Sequence, residues 1–175
     1  MNKIILFQLL PIIKDNYKIL GIVDNVIAFS NKSIIKKVFN YLNGTFTGIR
    51  WQCVEFARRY MIINSNITFN EVTNAYEIFK LNYFINLNSN VKIPIKKILN
   101  GSIIAPKVGS LLIWDKYVDL NRTGHVAVIT KVQIPYYIVI SEQNWHTNKF
   151  SRKLYIKYSN GFIIQDKNII GWINY

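Results

Sequence analysis

Three residues in this chain carry the groups needed for acyl transfer by a thiol: Cys53, His125 and Glu142. A thiol attacks as the thiolate, an imidazole can take and return the proton, and a carboxylate fixes the orientation of the imidazole. Cys53 is the only cysteine and opens a helical pattern, with Cys53, Phe56, Ala57 and Tyr60 at i, i+3, i+4 and i+7 along one apolar stripe from about 51 to 63. In the first turn of such a helix, unpaired backbone N–H groups and the dipole favour a thiolate. Those N–H groups, beginning with that of Cys53, also suit a tetrahedral oxyanion. Taken singly, Cys53 reads more readily as a small buried hydrophobe than as a nucleophile, and His125 as a satisfied core residue. Their combination with an acid carries the chemistry.

The strands must bring the imidazole and the acid together. In 124–131, alternation puts His125, Ala127 and Ile129 on one face, and in 136–142 it groups Ile138, Ile140 and Glu142. A hairpin closed by 132–135 pairs Lys131 with Tyr136, Ile129 with Ile138, Ala127 with Ile140 and His125 with Glu142. Directly opposed Cβ atoms lie about 4.5–5.5 Å apart, within reach of a carboxylate–imidazole hydrogen bond. A bulge in either strand is expected to throw Glu142 onto the wrong face.

The remaining elements follow from composition and punctuation. Residues 22–29 predict a first strand, and 32–42 a helix or irregular segment ending at Asn43-Gly44. Glu55 and Arg59, four apart, predict an ion pair on the helix surface. A second helix is expected over 70–84, with Val72, Ala75, Phe79 and Tyr83 inward. Strands are expected at 109–114, 124–131, 136–141, 152–158 and 169–173. Helices first and strands afterwards make an α+β fold, with N-terminal helices packed on an antiparallel β-sheet. Residues 1–18 read as an N-terminal extension to one domain over 19–175.

Composition narrows the classes. The 175 residues are 50% hydrophobic and 18% charged, which excludes intrinsic disorder. One cysteine forbids an intramolecular disulfide, and with two histidines it leaves no structural zinc set, so no metal is expected. The apolar stretch 4–13, broken by Gln8 and Pro11, is too short to span a bilayer and lacks a small-x-small cleavage site after it. A cytoplasmic protein is the expectation, secretion the alternative. The net charge of +13 suits an anionic partner, but Ile, Asn, Lys, Tyr and Phe are abundant throughout, as AT-rich coding would make them. The lysines read as scattered, no nucleic-acid-binding motif is present, and nucleic acid is not the expected partner.

The segment 48–60, Gly-Ile-Arg-Trp-Gln-Cys-Val-Glu-Phe-Ala-Arg-Arg-Tyr, resembles the nucleophile region of CHAP domains, the cysteine, histidine-dependent amidohydrolases/peptidases. The resemblance continues through 71–79, 111–115, 123–130, 141–144 and 171–173 and is strongest to the amidase domain of the glutathionylspermidine synthetase/amidase family. It implies a papain-like fold and amide hydrolysis without metal or organic cofactor. It also implies Cys53 as nucleophile, His125 as general base and acid, and Glu142 as the group orienting His125. Gln52, Arg58, Val72, Thr73, Asn74, Ala75 and Asn144 are by position similar to residues lining the glutathionyl side of the pocket, with Arg58 the partner for a substrate carboxylate. The implied substrate is a small-molecule glutathionyl amide. Two alternatives stay open: a peptidoglycan-cleaving endopeptidase or amidase, and a catalytically silent basic binding protein.

Overall fold

The computed structural model of the chain describes residues 17–31, 37–119, 121–146 and 148–175. Residues 1–16 of the expected extension, and 32–36 of the expected helix or irregular segment, lie outside it. Seven strands form one antiparallel sheet: β8 (Lys96–Leu99), β9 (Leu111–Trp114), β10 (His125–Gln133), β11 (Tyr137–Ser141), β12 (Ser151–Tyr158), β13 (Phe162–Ile164) and β14 (Ile169–Asn174). Their order is β13-β12-β11-β10-β9-β14-β8. All five expected C-terminal strands are present, and β8 and β13 are added to them.

Alternation along these strands divides the core in two. Leu111, Ile113, Val126, Val128 and Ile173 face the helix α1 (Cys53–Ser65), meeting Phe56, Ala57, Tyr60 and Met61. Leu112, Trp114, Ala127, Ile129, Ile138, Ile140, Leu154 and Trp172 build the opposite face. Each fully buried large apolar side chain contributes about 1.5–3 kcal/mol, so this two-sided burial holds β9 and β10 firmly. The helix starts at Cys53 and stops at Asn66, which takes a left-handed conformation at φ 54°.

The structure corrects several expectations. Among the described residues there is a single α-helix, so one helix rather than a set packs on the sheet. The expected helix 70–84 is a short 3-10 helix, Ala75–Lys80, followed by the strand β6 (Tyr83–Asn86). Its Asn74–Glu77 capping box starts the turn, and the aromatic and β-branched run Tyr83-Phe84-Ile85 joins a small sheet between β5 (Ile67–Thr68) and β7 (Lys92–Pro94). The first strand is instead a hairpin, β1 (Ile19–Val23) and β2 (Val26–Phe29), turned at Asp24-Asn25, both with positive φ. Residues 39–42 are extended, not helical: β3 (Phe39–Leu42) pairs with β4 (Thr45–Ile49) across Asn43-Gly44. The lysines also gather more than expected. The cross-strand register puts Lys131, Lys153 and Lys157 on one exposed face of β10, β11 and β12 beside Tyr137 and Tyr155.

Candidate active site

Cys53 is the first residue of α1, and its side chain is buried where the helix start meets the first residue of β10. The thiol shares a hydrogen bond with the His125 ring, and the N–H groups of Val126 and Val54 point to the sulfur. Gly48 lets β4 lie against the helix: its φ is +142°, and a Cβ there would be 3.1 Å from Cα of Glu55. Gly124 does the same for the strand that follows it. Its φ is +66°, and a Cβ would sit 2.7 Å from the Trp114 carbonyl oxygen and 2.9 Å from Cβ of Tyr76.

His125 is 3% exposed, and its Nε2 lies 2.8 Å from Oε2 of Glu142. With Nε2 committed to the carboxylate, Nδ1 is the nitrogen left for the thiol. Burial pushes the Cys53 thiol up, but the imidazolium, its hydrogen bond and the two peptide N–H groups outweigh burial and hold the thiol below the ordinary range. Burial works to lower His125, yet the thiolate and the Glu142 carboxylate raise it to about 9. Burial likewise opposes ionisation of Glu142, and the His125 and Arg152 partners bring it below the usual carboxylate range. The site therefore favours a thiolate–imidazolium pair.

The expected hairpin register is wrong, and the bulge has the opposite effect to the one foreseen. Ile129 pairs with Ile140 rather than Ile138, and Val132 pairs with Ile138, with a register shift between Ile129 and Lys131. Continued without that shift, the Lys131–Val139 register would set Glu142 opposite Val128, on the face away from His125. The extra residue, Thr130, returns Glu142 to the His125 face. The net displacement is two residues, which preserves the parity.

The remaining residues singled out from the sequence fall into three groups. Gln52 and Asn144 meet at the helix start, where Asn144 Nδ2 donates to Gln52 Oε1, and Asn31 Nδ2 donates to Asn144 Oδ1. Val72, Thr73, Asn74 and Ala75 lead into the 3-10 helix: the Thr73 and Asn74 N–H groups donate to Glu77 Oε2 at 3.0 and 3.1 Å. The Ala75 N–H donates to the Thr123 carbonyl at 2.9 Å, which holds this segment against the approach to His125. Arg58 is only 2% exposed, and its Nη1 and Nη2 donate to the carbonyls of Thr47 and Asn70 at 3.0 and 3.2 Å. The guanidinium lies 4.5 Å over the Phe69 ring.

Sequence reasoning missed Arg152, Trp145 and Gln143. Arg152 Nε donates to Glu142 Oε1 at 2.5 Å, and Trp145 lies against His125 with ring centroids 4.9 Å apart. Gln143 is fully buried and accepts the Phe29 N–H at 2.7 Å. The signal for Arg152 was available in the alternation of β12, which puts it on the inward face with Leu154 and Ile156. Among the described residues, no group of three or more His, Cys, Asp or Glu side chains is placed to hold a metal ion. No helix there is long and apolar enough to cross a membrane.

The CHAP domain family model matches residues 44–144, more than half of the chain. The chain belongs to the CHAP domain family. It is 36% identical over 144 residues to the bifunctional glutathionylspermidine synthetase/amidase of Escherichia coli (strain K12), a match covering 77% of this chain and 23% of that protein. It is 30% identical over 145 residues to the trypanothione synthetase of Crithidia fasciculata, covering 76% of this chain and 22% of that protein. The chain thus spans less than a quarter of the length of these relatives.

Proposed function

We propose that this chain is a cysteine amidase, with residues 19–175 as its CHAP amidase domain, that cleaves an amide bond through a thioester. The observation that carries this reading is the His125 ring, bonded through Nε2 to a buried carboxylate and on its other side to the only thiol in the chain. The Cys53 thiolate adds to the amide carbonyl carbon, and the oxyanion takes hydrogen bonds from backbone N–H at the helix start, beginning with that of Cys53. His125 gives its proton to the leaving nitrogen as the C–N bond breaks, and the free amine departs. The neutral imidazole then takes a proton from water, whose oxygen attacks the thioester, and the acid leaves as the thiolate is restored. Glu142 keeps the ring oriented throughout.

The substrate is glutathionylspermidine or a similar glutathionyl amide, giving the free thiol tripeptide and the amine. This is supported by 36% identity to a protein named for glutathionylspermidine synthesis and amide cleavage. Gln52, Asn144 and the 72–75 segment border the site at the helix start and at the approach to His125, where the acyl part of such a substrate would rest.

The test incubates the protein and its Cys53→Ala variant with glutathionylspermidine and, separately, with peptidoglycan fragments, following products by mass spectrometry. Release of spermidine by the unaltered protein alone is expected. Turnover of wall fragments only would replace the substrate. Iodoacetamide provides a substrate-free check: Cys53 should alkylate below neutral pH, and His125→Ala should slow this at least about tenfold. Alkylation of both proteins at a free-thiol rate, with neither substrate turned over, would leave the silent binding protein as the reading.

A further inference from the structure

Glu142 is 1% exposed and has two charged partners, of which the thiol chemistry uses only one. Arg152 takes the other side of the carboxylate: Nε donates to Oε1 at 2.5 Å, and Nη2 lies 3.4 Å from Oε2, the oxygen that also faces His125. The guanidinium is itself held from three directions. Its Nη1 donates to Asp166 Oδ2 at 3.1 Å, its central carbon lies 4.6 Å from the Trp145 ring centroid, and the Trp114 ring on β9 is 5.7 Å away. The same Trp145 ring rests against His125, and Trp114 pairs with His125 across β9 and β10. Arg152 reaches Glu142 because the β11–β12 register sets it opposite Ile140, on the face that carries Glu142 two residues on.

A carboxylate shut away from water tends to take a proton unless positive charge or donors compensate it. His125 offers one donor to Oε2 and gives away its own charge during the reaction, so it cannot be the constant source of that compensation. A guanidinium is a permanent cation that needs no proton exchange to do this. We propose that Arg152 is a positioning residue that keeps Glu142 ionised and aimed at His125, and so maintains the reactive Cys53–His125 pair in mildly acidic solution. This rests on the thiol reading above. The titratable and charged groups facing Glu142 are His125 from β10, Arg152 from β12 and, through Arg152, Asp166 from the segment after β13; Cys53 from α1 stands behind the imidazole, and His146 is separated from it by the Trp145 ring. Of these, Arg152 is the guanidinium in direct contact with the carboxylate.

The test is the pH profile of Cys53 alkylation by iodoacetamide, from pH 4.5 to 8.5, in the unaltered protein, Arg152→Met, Arg152→Lys and Asp166→Asn, each checked for folding by circular dichroism. Arg152→Met should react within about threefold of the unaltered protein at pH 8, yet lose reactivity at a pH about one unit or more higher on the acid side. Arg152→Lys, which keeps the charge without the fork, should fall between the two, and Asp166→Asn, which leaves the guanidinium charge less compensated beside Glu142, should move the limb slightly the other way. A purely structural role would lower the rate evenly at all pH values and leave the limb in place, and that outcome overturns the proposal. If Arg152→Met does not fold, superimposable profiles for Arg152→Lys, Asp166→Asn and the unaltered protein overturn it equally. A free-thiol profile in the unaltered protein would instead defeat the reading of Cys53 itself.

Discussion

Gln143 and Glu55 meet inside the protein, where Nε2 of Gln143 donates to Oε2 of Glu55 at 3.2 Å, joining the residue after the Glu142 carboxylate to the helix that begins with Cys53. Glu55 gathers further donors there: Asn40 Nδ2 at 2.9 Å, Thr47 Oγ1 at 3.2 Å and Arg59 Nε at 2.7 Å. Arg59 Nη1 donates in turn to the Ile27 carbonyl at 2.6 Å. Side chains of Glu55 and Arg59 are 0% and 2% exposed, so the pair foreseen on the helix surface is a buried one. Removing one member of a buried pair leaves an uncompensated charge. Glu55→Ala should therefore cost about 3–5 kcal/mol of stability, measured by urea denaturation. A loss of under about 1 kcal/mol, the range of an exposed pair, would contradict the buried network.

Stability should respond to pH in a way that reports the ion pair. The folded protein raises His125 to about 9, so the imidazolium contribution is complete below the ordinary value of 6.5 and is lost as pH rises through about 9. Cys53 runs the other way: its thiol is held below 9.0, so the thiolate contribution is complete above that value and is lost as pH falls through the lowered folded value. With the thiol already ionised in the folded state, each state, folded or unfolded, holds one proton on the pair between the ordinary imidazole value of 6.5 and about 9, and the two slopes cancel. Urea midpoints at pH 6.5, 7.5 and 8.5 should then be nearly level as far as this pair is concerned. A steady fall across that window, removed by His125→Gln, would mean that the folded thiol keeps its proton.

Much of the candidate site is legible in the sequence because it depends on short-range periodicity. Cys53 heads a stripe with a 3.6-residue period, and His125 and Glu142 belong to strands whose alternation is plain. The details that need partners are not. The Thr130 bulge leaves no mark in the alternation of either strand, and only pairing reveals that it, not an even hairpin, puts Glu142 on the right face. The 70–84 segment carries helical spacing at Val72, Ala75 and Phe79, but its Asn74–Glu77 cap serves a single 3-10 turn, and tertiary pairing takes Tyr83–Asn86 into a sheet. Glu55 and Arg59 at i, i+4 look the same in sequence whether water or Gln143 faces them. Lys131, Lys153 and Lys157 read as scattered because only the cross-strand register of β10, β11 and β12 aligns them on one face.

Gly124 immediately precedes His125, and its backbone conformation decides where the imidazole starts. An added methyl at φ +66° would press on the Trp114 carbonyl at 2.7 Å and on Tyr76, both of them fixed by neighbouring structure. Gly124→Ala should cost about 1–3 kcal/mol through strain and close contact. Because displacement is transmitted to the adjacent ring, Cys53 alkylation near neutral pH should slow by about 10–100-fold even where the variant stays folded. Unchanged alkylation in a destabilised variant would show that the His125 position does not depend on this turn.

Arg58 offers a sharp choice between two roles. The resemblance points to a partner for a substrate carboxylate, whereas its guanidinium already donates to the carbonyls of Thr47 and Asn70 and lies over Phe69, with burial lowering its proton affinity to about 10. Those carbonyls belong to the middle of β4, the strand that precedes α1, and to the loop after β5, so Arg58 ties the helix to both sides. A lysine cannot reach two carbonyls with a rigid fork. Arg58→Lys should therefore lower stability by about 1–3 kcal/mol while KM for a glutathionyl amide changes less than about threefold. If KM instead rises tenfold or more with stability intact, the guanidinium exchanges its carbonyl partners for substrate, and the carboxylate role stands.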